Sequence, residues 1–328
     1  MSNIPEMQQI NLSRRQFLRN TSIASLAVLA GTNSLFANTP LMDKIGVQLF
    51  SVPKMLSQDF DAALNMLSSI GFKEIEMYGP YPFSTDKAKK YWSSVTPQLG
   101  FDGSGYFGHS DSEILRILKS HGFTVPSMHT DIDTLQNNMG ALSDAANKMG
   151  AKYLVLPAIP EELRKNLEDY KHIADAFNKI GEAALKNGIR FAYHNHGYGL
   201  NVTNGKMPLD IILDGTDPNL VFLELDLYWT TAGGANPIEL LKKHSGRYKM
   251  MHVKDMKQKV HFSGDGGAAS QWFALFPYMT SAGEGILDLP NIIKTAKENG
   301  MEHFFVEQDM VANPSIALKK SYDYLKGL

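Results

Sequence analysis

Arg190-Phe191-Ala192-Tyr193-His194-Asn195-His196 is the stretch on which the fold reading turns. Its apolar, aromatic start predicts a buried strand, and its polar end predicts a strand terminus that opens on chemistry. Before it, Glu161–Asn187 carries helical spacing that stops at Gly188, a C-terminal stop signal. After it, Val221–Trp229 repeats the apolar strand pattern. This helix-and-strand unit recurs outward in both directions. Further strands are predicted at Ile45–Val52, Glu74–Tyr78, Thr124–His129, Tyr153–Ala158, Lys249–Lys254 and His303–Asp309. Helical patterns are predicted at Asp59–Ile70, Ser112–His121, Leu135–Met149, Pro237–His244, Asp288–Asn299 and Pro314–Leu325. Eight strands separated by helices predict a single-domain (β/α)8 TIM barrel. A doubly wound open sheet is the alternative, but no GxGxxG follows the first strand. The long segment Met256–Leu287, with Trp272, Phe273 and Phe276, is expected to fold over the barrel mouth as a loop.

The chain has 328 residues, 43% hydrophobic and 20% charged, which excludes a disordered chain and a polytopic membrane protein. Its net charge of −2 offers no general attraction to nucleic acid or anionic lipid. With no cysteine, a disulfide framework, a thiolate nucleophile and a Cys-ligated zinc are all excluded. Any metal must be held by His, Asp and Glu.

The N-terminus reads as an address. Ser13-Arg14-Arg15-Gln16-Phe17-Leu18 is a paired-arginine motif, followed by a small, uncharged apolar run from Thr21 to Ala37. Basic region, short apolar region and small residue at the cleavage position predict a Tat-type export signal at residues 1–37. The run is too short to span a bilayer stably. The expectation is a periplasmic protein whose signal meets the Tat export machinery, with the barrel occupying residues 38–328.

Barrel chemistry collects at the C-terminal ends of strands, and residues two apart on a strand share a face. That places Glu74 with Glu76, His194 with His196, Glu224 with Asp226 and Tyr228, His252 with Lys254, and Glu307 with Asp309. His129 ends the third strand and Gln48 lies near the end of the first. So many converging charges need partners. A divalent cation held by carboxylate oxygen and imidazole nitrogen resolves the problem.

Gly46-Val47-Gln48-Leu49, the Glu76 strand, His194-Asn195-His196-Gly197, Glu224-Leu225-Asp226-Leu227-Tyr228-Trp229, His252-Val253-Lys254-Asp255, Gly283-Glu284-Gly285 and the Glu307 strand come in a telling order. From about residue 44 to 325 the chain resembles the xylose-isomerase-like TIM barrels, the sugar phosphate isomerase/epimerase group. The resemblance implies one divalent metal ion (Mn, Zn, Co or Mg) held from strands five to eight. By position, Asp226, His252 and Glu307 match the family ligands. His194 stands where family members often carry glutamate, and an imidazole still ligates a metal. Family epimerases use the strand-five and strand-eight glutamates as an acid/base pair, so His194 puts that chemistry in question.

The expected activity is therefore an exported, metal-dependent sugar isomerase or epimerase. It would abstract a proton beside a carbonyl to give an enediolate. Glu307, His194, His196 and Lys254 are the expected catalytic groups. Gln48, Glu76, His129, Tyr228 and Trp229 are the expected substrate contacts. One alternative is a lyase or dehydratase of a keto-sugar or keto-glycoside, like the inosose dehydratases of the same superfamily, which also carry His-rich strand-five motifs. A second is a non-catalytic periplasmic sugar-binding protein. A metal-dependent endonuclease on this barrel would need a basic phosphate track, which the charge balance does not supply.

Overall fold

The computed structural model describes residues 41–42 and 44–328. The expected export segment lies outside the described residues. The strands are β1 (Gly46–Gln48), β2 (Glu74–Tyr78), β3 (Thr124–His129), β4 (Tyr153–Leu156), β5 (Arg190–His194), β6 (Val221–Asp226), β7 (Tyr248–Val253), β8 (Asp255–Met256), β9 (Met279–Thr280) and β10 (His303–Val306). Eight of them close a parallel barrel in the order β1-β10-β7-β6-β5-β4-β3-β2, while β8 and β9 form a separate antiparallel pair. This is the (β/α)8 barrel expected from the alternation.

Parallel strands covered on both faces are buried along their length, and here nearly every strand residue is. The main core lies between strands and helices, where Phe60, Leu64 and Leu67 of one helix and Ile173, Phe177 and Ile180 of another pack on the sheet. A second cluster, Tyr153, Val155, Ala192, Met250 and Phe305, shares strand faces with His194 and His252 by period-two alternation. The polar groups therefore sit one residue pair further along, toward the strand ends.

Helix ends are specified locally. Asp59 accepts from Ala62 N–H, Ser110 and Glu113 form a reciprocal capping box, and Gly150 stops a helix in the left-handed conformation at φ 75°. The register then sets the levels of the site. Gln48 lies opposite Glu76, Glu76 opposite Ser127, His194 opposite Glu224, and Asp226 opposite His252.

Several strands end earlier than the apolar runs suggest. β6 stops at Asp226 because its side chain caps a short helix, Leu227–Ala232. β1 stops at Gln48, whose side chain accepts from Phe50 N–H at the start of a turn. The pattern at Leu135–Met149 is two helices, Ile132–Asn137 and Met139–Met149. Helices at Asp86–Leu99 and Pro208–Asp214 were not among the predicted ones. Among the described residues no helix is long and apolar enough to cross a membrane.

Candidate metal centre

Asp226 is the point where backbone structure and site chemistry meet. Its Oδ1 accepts from Trp229 N–H at 2.7 Å, which turns Oδ2 toward the barrel interior. There Oδ2 lies 3.7 Å from His194 Nε2, 3.8 Å from His252 Nδ1 and 3.0 Å from Lys254 Nζ. His252 Nδ1 lies 2.7 Å from Glu307 Oε2. Lys254 Nζ also reaches Glu307 Oε2 at 2.5 Å and Asp309 Oδ2 at 2.7 Å. All of these side chains are buried.

A polar layer lies beside this group. His129 Nε2 bridges Glu224 Oε2 at 2.7 Å and Glu76 Oε2 at 3.0 Å. His194 Nδ1 is 3.0 Å from Glu224 Oε2. Glu76 accepts from Gln48 Nε2 at 2.8 Å, Ser127 Oγ at 2.5 Å and His252 Nε2 at 2.6 Å.

Burial and mutual charge set the electrostatics. Burial pushes the Glu76 carboxyl up, but the cationic tendency of His129 and His252 holds it well below the usual carboxylate range. Burial and the Glu76 charge push Glu224 up to about 7. Burial lowers His129, yet Glu76 and Glu224 raise it to about 9. His252 is likewise depressed by burial and carried well above its ordinary value by Glu224, Glu307 and Glu76. His194 is held well below its ordinary value by burial and by His252. Burial and Lys254 lower His196 to about 3. Burial works against ionised Glu307, but Lys254 and His252 hold its carboxyl below the ordinary range. Burial and the Glu307 charge push Asp309 up to about 7.

The donor set suits a divalent cation. Two groups of ligand atoms lie within 4.8 Å of one another: His129, His194, Glu224 and His252, and then Asp226, His252 and Glu307. Donors about 2.0–2.2 Å from one cation stand roughly 3–3.5 Å apart, and the separations here, 2.7–3.8 Å, bracket that range. Asp226 Oδ2, His252 Nδ1, His194 Nδ1 and Glu224 Oε1 are buried without an aligned hydrogen-bond partner, so donor capacity is available. The four ligands implied by the resemblance do not form one compact group. Asp226, His252 and Glu307 do, whereas His194 clusters with His129, Glu224 and the same His252, and adjoins Asp226.

The expected substrate contacts scatter. Tyr228 does not share a face with Asp226, because the helix that Asp226 caps rotates it away. Its hydroxyl donates to Leu275 O at 2.5 Å inside an apolar cluster of Trp229, Met256, Leu275 and Met279. Trp229 borders the site, with Lys254 Nζ 5.5 Å from its ring centre and His196 6.1 Å away in a stacked arrangement. Gln48 and Glu76 are fully buried and spend their polar atoms on protein groups. His129 is buried between two carboxylates. Lys254 pairs with Asp226, Glu307 and Asp309 and not with Asp255, which instead accepts from the backbone of Gly283, Gly285 and Leu287. Glu284 sits in an exposed turn and pairs with Lys320.

The segment between β8 and β9 packs beside the site. Trp272 lies 4.6 Å from the His196 ring, and Phe262 presses on Gly197 so closely that a Cβ there would overlap its ring. Arg164, 4% exposed at its side chain, holds this segment. It donates to Gly267 O at 2.8 Å and to Ile159 O at 2.9 Å, and stacks 3.9 Å over the Tyr198 ring. Arg164 and Ser127 escaped the sequence reading. Ser127 was legible as the residue two before His129 on the same strand face; Arg164 carried no local signal.

A family model described as xylose isomerase-like TIM barrel matches residues 64–327. An inosose dehydratase of Clostridium beijerinckii is 27% identical over 294 residues, spanning 81% of this chain and 89% of the relative. One from Clostridium perfringens strain 13 is 27% identical over 287 residues with the same coverage. Among solved structures, a sugar phosphate isomerase/epimerase from Parabacteroides distasonis superposes with a TM-score of 0.67 at 22% identity, covering 90% of this chain and 97% of that one. The IOLI protein with a binding zinc atom superposes with a TM-score of 0.59 at 16% identity, covering 87% and 95%.

Proposed function

Because the chain belongs to the xylose isomerase-like TIM barrel family, we propose that it is a divalent-metal-dependent lyase. It removes water or another β-leaving group from a keto-sugar, keto-glycoside or related keto-polyol. The observation that carries this reading is the asymmetry of the acid/base groups. Glu307 offers an ionised carboxylate at the mouth, while the fifth-strand position opposite holds His194, an imidazole kept neutral by burial. Epimerisation by two bases asks for a second proton-carrying group of matched strength. Elimination asks for one base and an acid for the leaving group. The relatives named inosose dehydratase support the same branch.

Asp226, His252 and Glu307, with His194 adjoining, would hold the cation. When bound, it supplies Lewis-acid polarisation of a substrate oxygen. The protein does the rest. Glu307 takes the proton from the carbon beside the carbonyl. The C–H electron pair becomes the new C=C bond as the β C–O bond breaks. The Lys254 ammonium, 2.5 Å from Glu307, stabilises negative charge on the carbonyl oxygen. Glu307 then gives the proton it has taken to the leaving oxygen, which departs as water or an alcohol and restores the carboxylate. Trp272 and Phe262 limit water access from the side of His196.

Isomerisation or epimerisation is the second reading, supported by the isomerase/epimerase name of the Parabacteroides neighbour's fold. Export is part of the proposal: residues 1–37 act as a Tat-type signal and place the barrel in the periplasm, where a free glycoside or oxidised sugar is the substrate class. NMR in D2O decides the branch. The protein is stripped with chelator, reloaded with Mn2+, Co2+ or Zn2+, and offered keto-sugars, keto-glycosides and a keto-cyclitol. Elimination yields an unsaturated product; isomerisation yields a deuterated isomer; loss of neither signal on chelation rules out a metal role.

A further inference from the structure

Glu76 is a carboxylate met by four side chains. Ser127 Oγ donates to its Oε1, while Gln48 Nε2, His129 Nε2 and His252 Nε2 all approach its Oε2 at 2.6–3.0 Å. It is fully buried, so a bound sugar has no oxygen of Glu76 left to meet. The orientation of Gln48 is not free either, since its Oε1 accepts from Phe50 N–H at 3.1 Å, which commits its amide nitrogen to Glu76.

The consequence reaches the mouth through His252. Once a cation displaces the proton on Nδ1, an imidazole that still donates Nε2–H to a carboxylate presents the Nδ1 lone pair to the metal. Nδ1 is the nitrogen that faces Glu307 at 2.7 Å and Asp226 at 3.8 Å, and it has no aligned partner of its own. A carboxylate behind a metal-binding imidazole fixes its tautomer and ring orientation and raises its basicity.

We infer that Glu76 is a positioning residue: through the Glu76–His252 hydrogen bond it makes Nδ1 the metal-binding nitrogen of His252, with Gln48 and Ser127 holding the carboxylate in place. This inference rests on the metal reading proposed above. It gives Gln48 and Glu76 a role that is not contact with the sugar.

The test uses the full chain and Zn2+ alone as probe. Zn2+ affinity is measured by competition with a chelating dye for wild type, Glu76→Gln and Ser127→Ala, and 15N NMR reports which His252 nitrogen binds the metal. Glu76→Gln keeps the shape but removes the charge and puts an amide donor among four donors. Expected is a 10–100-fold loss of Zn2+ affinity. Ser127→Ala removes one donor and leaves the Glu76–His252 bond, so affinity within about threefold of wild type is expected. The wild-type spectrum should show Zn2+ on Nδ1 and a proton on Nε2. Unchanged affinity in Glu76→Gln, equal losses in both variants, or Zn2+ on Nε2 overturns the inference while the metal reading stands. A wild type that binds no Zn2+ overturns both. If Glu76→Gln does not fold, the wild-type 15N spectrum alone decides.

Discussion

Asp226 Oδ1 accepts the Trp229 N–H at 2.7 Å while its Oδ2 faces His252 Nδ1 at 3.8 Å, so one side chain both starts a helix and offers a ligand atom. The two duties separate by substitution. Asparagine caps a helix as well as aspartate does, whereas alanine costs about 1 kcal/mol at such a position. Asp226→Asn should therefore keep the cap, losing stability only through its broken pair with Lys254, and should lose at least about 10–100-fold in metal affinity, since the charged ligand is gone. Asp226→Ala should add the capping loss. Calorimetric melting with metal titration checks both, and wild-type affinity in Asp226→Asn would remove Asp226 from the ligand set.

Glu307 is the base in the proposed elimination. Its carboxyl is held ionised by Lys254 and His252 despite burial. Replacing it with glutamine should lower the rate of C–H exchange by roughly 10²–10⁴, the usual worth of a general base. Deuterium incorporation measured at saturating metal separates this from a loss of metal. Exchange at the wild-type rate in Glu307→Gln would transfer the role to another group.

Arg164 ties the segment between β8 and β9 to the loop after β4. Truncating it leaves the carbonyls of Gly267 and Ile159 without their donor. Unmet buried acceptors cost about 1–3 kcal/mol each. Arg164→Met should melt lower, be cleaved faster within residues 257–278, and raise KM more than it lowers kcat. Unchanged proteolysis of that segment would mean that Arg164 does not hold it.

His244 provides a pH test remote from the metal centre. Burial and Lys243 hold it below its ordinary value even though Asp210 lies 3.6 Å away. The unfolded chain takes up a proton at His244 as pH falls through about 6.5, whereas the folded chain takes it up only at lower pH. Its contribution is therefore unfavourable to folding at low pH and vanishes above about 6.5. Wild type should lose melting temperature relative to His244→Gln between pH 7 and pH 5. A difference that stays constant with pH contradicts the burial argument.

The barrel was legible because its signals are local and repeated. Apolar runs, glycine stops and capping residues announce each unit on their own, and eight in succession leave little choice of architecture. The candidate ligands were legible for a related reason: Asp226, His252 and Glu307 sit at strand ends, where barrels place polar groups. Strand alternation failed at Tyr228, since the capping bond from Asp226 converts strand to helix and turns that side chain into the apolar cluster behind Trp229. It placed Gln48 and Glu76 in the interior correctly but did not reveal that their polar atoms are spent on protein groups, Gln48 on Glu76 and Phe50 N–H, and Glu76 on Gln48, Ser127, His129 and His252.

By itself, then, the sequence determined the class of fold, the absence of thiol chemistry and which side chains of the strands proper point into the barrel. Direction along a strand is a property of neighbouring residues, so composition and spacing encode it. Only the tertiary structure decided which of those side chains meet. Glu76 and His252 are 176 positions apart, and Arg164 and Gly267 are 103. Such pairings arise when barrel closure sets the stagger of the strands and the long loop folds back on the mouth, and no local pattern carries that information.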